Sequence, residues 1–302
     1  MKKFQLFSII MVAGTLFFSS CAKDGVNGTN GINGLNGNDG KDAVLVTAAD
    51  QAAFDAADGV VGARLYDHVL NQVASTDTSL TKHGDFYRCK SCHGWDLLGK
   101  NGVLINKMPT ASYPVAASND LYAYGKKHNI REIFDAVKNA GGRTKRTATS
   151  YNGTMPDYSN IISDAEAWDL VKFIKVTAHH VNDFYDMNTT GVYPTGTKTF
   201  KNIGKGGDPV AGKAKYDAVC ASCHGANGTK LNIYCKGIYL GNMFRGDPHE
   251  IQHKAVWGMP LDREHIAAGC TDAGMMPVQT ITDQDIRNMM AMGQDATAFP
   301  GF

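Results

Sequence analysis

The pentapeptide Cys-x-x-Cys-His occurs twice in this chain of 302 residues, and it constrains the possible folds more than any other feature. The first copy runs from Cys89 to His93 and the second from Cys220 to His224. Two intervening residues allow both sulfurs of a motif to reach neighbouring positions on one ligand, with the histidine beside them. Helical segments with similar spacing surround each copy, so the chain contains an internal repeat.

This motif is the attachment site of a c-type haem, in which two cysteines form thioether bonds to the porphyrin and the histidine ligates the iron. A zinc site would need Cys and His ligands grouped in fours, and a redox dithiol would need neither the histidine nor a second copy. The sequence therefore predicts two haem c groups. The attachment residues are Cys89, Cys92, Cys220 and Cys223, and the histidine ligands are His93 and His224.

The N-terminus has the pattern of an export signal. Lys2 and Lys3 precede an apolar run from Phe4 to Phe18, which is too short to span a bilayer comfortably. The run ends before Cys21, and the junction resembles a bacterial lipoprotein cleavage site. We expect residues 1–20 to be a signal peptide, Cys21 to be lipidated, and the protein to lie on the periplasmic face of a membrane or on the cell surface. Plain cleavage and an uncleaved anchor are the alternatives.

Two of the seven cysteines, Cys235 and Cys270, belong neither to a motif nor to the signal boundary. In an oxidising compartment they are predicted to form a disulfide bond, with two separate buried thiols as the alternative.

Glycine recurs at every third position from Gly25 to Gly40. Proline is missing from the intervening sites, so the preordering that stabilises a collagen triple helix is absent. Residues 21–42 are therefore predicted to form a flexible tether, with a trimerising stalk as the alternative. The rest divides into a first domain at 43–188, a linker at 189–207 rich in Gly, Thr and Lys, and a second domain at 208–302.

Helical signals dominate both domains, and strand signals are sparse. The predicted helices lie before each motif, after it and at the end of each half, and they span 61–73, 130–140, 164–176, 212–219, 249–257 and 283–292. Asp208 and Pro209 form a predicted helix start, while Ser163 with Glu166 and Thr282 with Asp285 have capping-box spacing. The expected fold class is all-α.

The motifs and the Met-Pro pair before each closing helix resemble class I cytochromes c, in the form with two such domains in tandem. The second half carries the resemblance best, through the segments 212–214 and 220–225 and through Met276-Pro277. The first half departs from this pattern, because a longer stretch of chain separates its motif from its Met-Pro pair. The resemblance implies a methionine as the sixth iron ligand, and Met155 and Met276 occupy the matching positions.

Other methionines remain open as ligands. Met275 adjoins Met276, and Met108-Pro109 and Met259-Pro260 repeat the Met-Pro dipeptide, although both fit surface loops better. Eight histidines outside the motifs could supply a second histidine ligand instead: His68, His83, His128, His179, His180, His249, His253 and His265.

The net charge of +1 gives no basic excess for nucleic-acid binding. We expect a diheme electron carrier that exchanges electrons with redox protein partners and is held at a membrane by its lipid anchor. A diheme peroxidase with one open iron site is the main rival, and an adhesive lipoprotein that depends on its glycine tail is a third hypothesis. The sequence does not determine the oligomeric state.

Overall fold

A computed structural model describes residues 44–72, 84–110, 113–138, 155–259, 269 and 276–302. The predicted signal peptide and tether, with Cys21, lie outside the described residues, as do Met275, Cys270, His83 and His265. None of the helices in the described part of the chain is both long and apolar enough to cross a membrane.

The described chain is mostly helical, as expected, with one two-stranded antiparallel hairpin. In the first half the helices are α1 (Ala48–Ala56), α2 (Gly59–Gln72), α3 (Cys89–His93), α4 (Leu121–Lys127), α5 (Ile130–Lys138) and α6 (Asp164–Lys172), which continues as a π-helical turn at Phe173–Thr177. The hairpin is β1 (Asp186–Thr190) with β2 (Thr197–Lys201). The second half contains α7 (Pro209–Val219), α8 (Ala221–His224), α9 (Leu240–Gly246), α10 (Pro248–Trp257) and α11 (Asp283–Met292).

Helices α2 and α6 cross closely in the first half. A Cβ on Gly62 of α2 would collide with the backbone carbonyl of Asp169 on α6. The backbone N–H of Asp58, just before α2, donates to the Asp169 carboxylate at 2.7 Å. Glycine therefore lets the two backbones approach, and the hydrogen bond fixes where they meet.

The second half repeats this crossing with α7 and α11. A Cβ on Gly212 would collide with the carbonyl of Asn288, and the N–H of Asp208 donates to the Asn288 side chain at 2.8 Å. Asp58 and Asp208 also accept from the backbone N–H two residues ahead, both at 2.8 Å. The two halves thus share one construction, down to individual hydrogen bonds.

The closing helices begin as the sequence indicated. Ser163 and Glu166 form a complete capping box at the start of α6, and Thr282 and Asp285 form another at the start of α11. Each box satisfies backbone N–H groups that have no partner within the helix. Asp208 caps α7, with Pro209 in its first turn.

The segment that we predicted to be a linker contains most of the hairpin, in which Asp186 pairs with Lys201 and Thr190 with Thr197. Just before it, Val181, Phe184 and Tyr185 are fully buried in the core of the second half, although we assigned them to the first domain. Apolar burial rather than sequence position determines which half they join.

Helix α10 joins the two halves. Its Trp257 is 2% exposed and belongs to the apolar core of the first half, where its ring meets Phe173 edge-on at 5.1 Å. The ring of His253, one turn earlier, lies 3.7 Å from that of Trp95, which follows the first motif. Gln252 donates to the carbonyl of His179 at 3.0 Å. The two halves therefore pack against each other through buried side chains.

The crossings predict the effect of adding one methyl group. Gly62→Ala or Gly212→Ala should lower the free energy of unfolding by about 1–3 kcal/mol, because the new Cβ overpacks a backbone contact. Gly246→Ala is the matched control, since nothing lies within 4 Å of its Cβ position. Urea unfolding of the three variants measures the difference, and equal stability in all three would contradict the proposed crossing.

Candidate functional site

A cavity of about 470 Å³ in the first half, cavity 1, brings together the predicted ligand residues. Cys89, Cys92 and His93 line it, and so does Met155. Most of the remaining wall is apolar and includes Val115, Leu121, Ile133, Val137, Leu170 and Ile174. The structure thus places two thiols, one imidazole and one thioether around a single apolar space.

The backbone after the motif is held in a conformation that favours glycine. Gly94, directly after His93, has a φ of 76°, and the Tyr66 hydroxyl on α2 donates to its carbonyl at 2.6 Å. Since α2 is fixed by its crossing with α6, this hydrogen bond ties the histidine end of the motif to the helical frame.

A buried carboxyl group shapes the loop that follows. Asp96 is completely buried, and its carboxyl oxygens accept from the N–H groups of Val103 at 2.7 Å and Leu98 at 3.4 Å. Farther along, the N–H of Ala117 donates to the Cys92 carbonyl at 2.7 Å. These bonds hold the chain at 114–119 along one wall of cavity 1.

Burial keeps His93 and Cys89 in cavity 1 neutral. Desolvation lowers the pKa of His93 to about 4, so its imidazole is uncharged at neutral pH, which is the form that binds a metal. Desolvation also raises the pKa of the Cys89 thiol to about 12, which makes it a poor thiolate nucleophile. A thiol with so high a pKa does not suit a redox dithiol.

Cavity 2, of about 440 Å³, repeats the arrangement in the second half. Cys220, Cys223, His224 and Met276 all line it. Charged side chains also reach its wall: Lys230, and Glu250 with Lys254, which form an ion pair at 2.8 Å on α10. Charged side chains of α10 therefore line one side of cavity 2. No Asp, Glu, Lys or Arg is among the described residues that line cavity 1.

The second motif is held as the first one is. Gly225 has a φ of 80°, and the Tyr216 hydroxyl on α7 donates to its carbonyl at 2.7 Å. We did not predict this pair of tyrosines from the sequence. The signal was present, because Asp58, Gly62 and Tyr66 have the same four-residue spacing as Asp208, Gly212 and Tyr216. Tyr66 lies 23 residues before its motif and Tyr216 only four, and this difference hid the correspondence between the two tyrosines.

The other candidate ligands differ in whether they line a cavity. Met108 is 57% exposed, as expected of a surface loop, and it does not line cavity 1. Met259 was also expected in a surface loop, but it lines cavity 2 beside Met276, because its backbone pairs with that residue. Among the described histidines, only His93 and His224 line these cavities.

None of the four motif cysteines forms a disulfide bond, whereas Cys235 is disulfide-bonded. Since Cys270 lies outside the described residues, its pairing with Cys235 stays a prediction. Within the described ranges, no group of three or more His, Cys, Asp and Glu side chains is arranged to hold a metal ion. The described cysteines and histidines thus form no zinc-type cluster.

Residues 83–178 match the family described as Cytochrome c. The match covers the first motif and Met155, although we expected the second half to carry the resemblance best. No curated protein and no solved structure matches the chain.

Cavity 1 fits the cofactor of that family. Besides two cysteines that are not in a disulfide bond it offers His93, whose buried Nδ1 has no hydrogen-bond partner, in a mostly apolar space of a size typical for ligand pockets. The chain therefore carries a cytochrome c domain at residues 83–178. Haem c is its cofactor, haem-based electron transfer is the activity that the domain implies, and redox proteins are the partners it suggests.

Asp96 should make stability depend on pH. Burial raises the pKa of its carboxyl group to about 7, so from about pH 4 to 7 the unfolded chain releases this proton and the folded chain keeps it. Folding stability should fall across that window. Asp96→Asn should remove this fall, as measured by urea unfolding at several pH values. A constant difference between the two proteins from pH 4 to 8 would contradict the assignment.

Proposed function

We propose that the chain is a diheme c-type cytochrome that transfers electrons between redox partners through two covalently bound haems. The observation that carries this proposal is the repeated ligand set: two motif cysteines, the motif histidine and a methionine from a Met-Pro pair line each cavity. Haem c, when bound, supplies an iron that cycles between two oxidation states. The protein residues attach it, ligate it and exclude water from it.

The second haem is supported by the match between the halves. Gly212, Tyr216 and Gly225 hold the second motif as Gly62, Tyr66 and Gly94 hold the first. The buried Nδ1 of His224 has no hydrogen-bond partner, and desolvation lowers the pKa of this histidine. Its neutral imidazole is therefore suited to ligate iron, as that of His93 is.

A carrier is favoured over a peroxidase because a thioether lines each cavity. In the proposed sites His93 and Met155 ligate the first iron, and His224 and Met276 ligate the second. An iron ligated by both a histidine and a methionine would exchange electrons but would offer no open position to peroxide. Thioether ligation also raises the reduction potential relative to ligation by two histidines.

The packing of the two halves supports a relay between the haems. Tyr66 lines cavity 1, and its ring stacks on His253 of α10 with centroids 6.2 Å apart. The neighbouring Lys254 lines cavity 2. Tyr66 and two consecutive residues of α10 thus connect the walls of the two cavities, which favours electron exchange within the chain.

We further propose export as a lipoprotein, with Cys21 lipidated and residues 21–42 as a tether to the periplasmic face of a membrane or to the cell surface. The sequence around Cys21 supports this, and a disulfide between Cys235 and Cys270 would suit that oxidising compartment. Cys21→Ala should move the protein from the membrane to the soluble fraction with its haem spectrum unchanged. If the variant stays in the membrane fraction after residues 1–20 have been removed, the lipid anchor is wrong.

The diheme proposal predicts the electron capacity of the chain. Reductive titration of the purified protein should take up two electrons per polypeptide, and Cys220→Ala with Cys223→Ala should leave one. The matched variant Cys89→Ala with Cys92→Ala should also leave one, from the other half. Optical spectra with a pyridine haemochrome count give the haem content of each sample.

The resting oxidised protein should be low-spin at both irons, without peroxidase turnover. High-spin haem together with peroxide reduction would favour the peroxidase. A capacity of one electron with one haem in the unmodified chain would contradict the diheme proposal.

A further inference from the structure

Met259 and Met276 are paired through their backbones at cavity 2. The N–H of Met259 donates to the carbonyl of Met276 at 2.8 Å, and the N–H of Met276 donates back at 3.0 Å. The two residues form an antiparallel bridge. Residues directly opposite each other in such a bridge project their side chains to the same face. The pairing therefore places two thioethers side by side.

Gly258 makes this pairing possible. It directly follows α10 and has a φ of 70°, and a Cβ on it would collide with the Met276 carbonyl and with the backbone of Pro277. A larger residue would separate the two chain segments. The position of Met259 therefore depends on a specific backbone contact.

Both methionines are half-buried and line cavity 2 together with His224. Met243 and Met289 line it as well, but they lie on helices α9 and α11 and are 8% and 2% exposed within the apolar core. Helical backbone and core packing fix those two side chains. Met259, in contrast, is the lining methionine whose backbone pairs directly with that of the proposed ligand Met276.

Cavity 1 provides the contrast. Met155 is the methionine that lines it among the described residues, and Met108 is mostly exposed. The first half thus presents one thioether to its proposed iron, and the second half presents two adjacent ones.

We propose that Met259 is an alternative axial ligand of the second haem, able to take the position of Met276. This inference rests on the proposed second haem. In the exchange the bond between the Met276 sulfur and iron breaks, the bond from the Met259 sulfur forms, and no electron or proton moves. The second iron keeps six ligands when Met276 leaves, so its sixth position stays closed to peroxide, while the described residues around cavity 1 offer the first iron no such substitute.

The test compares four variants of the full chain carrying both haems: Met155→Ala, Met276→Ala, Met259→Ala and the double variant Met259→Ala with Met276→Ala. The readouts are the sulfur-to-iron charge-transfer band of the oxidised protein and the spin state by electron paramagnetic resonance. Met276→Ala and Met259→Ala should each keep the full band. Met155→Ala and the double variant should each lose half of it and show one high-spin iron.

Loss of half the band in Met276→Ala would overturn the inference, whether the second iron becomes high-spin or takes a histidine. A double variant that keeps the full band would also overturn it, because a thioether other than Met259 would then be the substitute. The haem count separates this failure from that of the proposed function. Two haems with a half-lost band in Met276→Ala contradict only the role of Met259, whereas one haem contradicts the second site itself.

Discussion

The close crossings of α2 with α6 and of α7 with α11 determine where the ligand residues lie. At Gly62 and Gly212 the absence of a side chain lets the helices touch through their backbones. The tyrosine one turn later then reaches the carbonyl after the motif histidine, at 2.6 Å from Tyr66 and 2.7 Å from Tyr216. The histidine, the cysteines and the cavity they line are held to the helical frame by this chain of contacts, so a weakened crossing would disturb both stability and ligation.

The two cavities have the same ligand set but different surroundings. No Asp, Glu, Lys or Arg is among the described residues that line cavity 1, whereas the ion pair of Glu250 and Lys254 lies in the wall of cavity 2. Charge beside an iron changes the relative free energies of its oxidation states, and burial does so as well. Because α10 carries this ion pair and also packs His253 against the first half, one helix sets the environment of the second site and its distance from the first.

The sequence predicted what depends on local patterns. The two motifs, the capping boxes at Ser163 and Thr282 and the start of α7 at Asp208 all follow from residues within a few positions of each other. It did not predict contacts between distant segments. The packing of His253 on Trp95 joins residues from different halves, and the bridge between Met259 and Met276 depends on a backbone contact that no local pattern encodes. Such contacts arise from tertiary packing, which periodicity does not specify.

The mass of the intact polypeptide tests the central claim most directly, because thioether bonds survive denaturation while a ligated or merely bound cofactor is lost. The denatured, purified chain should carry the added mass of two haem groups, and replacing the cysteines of either motif by alanine should remove one of them. A wild-type chain with one haem, unchanged when Cys220 and Cys223 are replaced, would contradict the account.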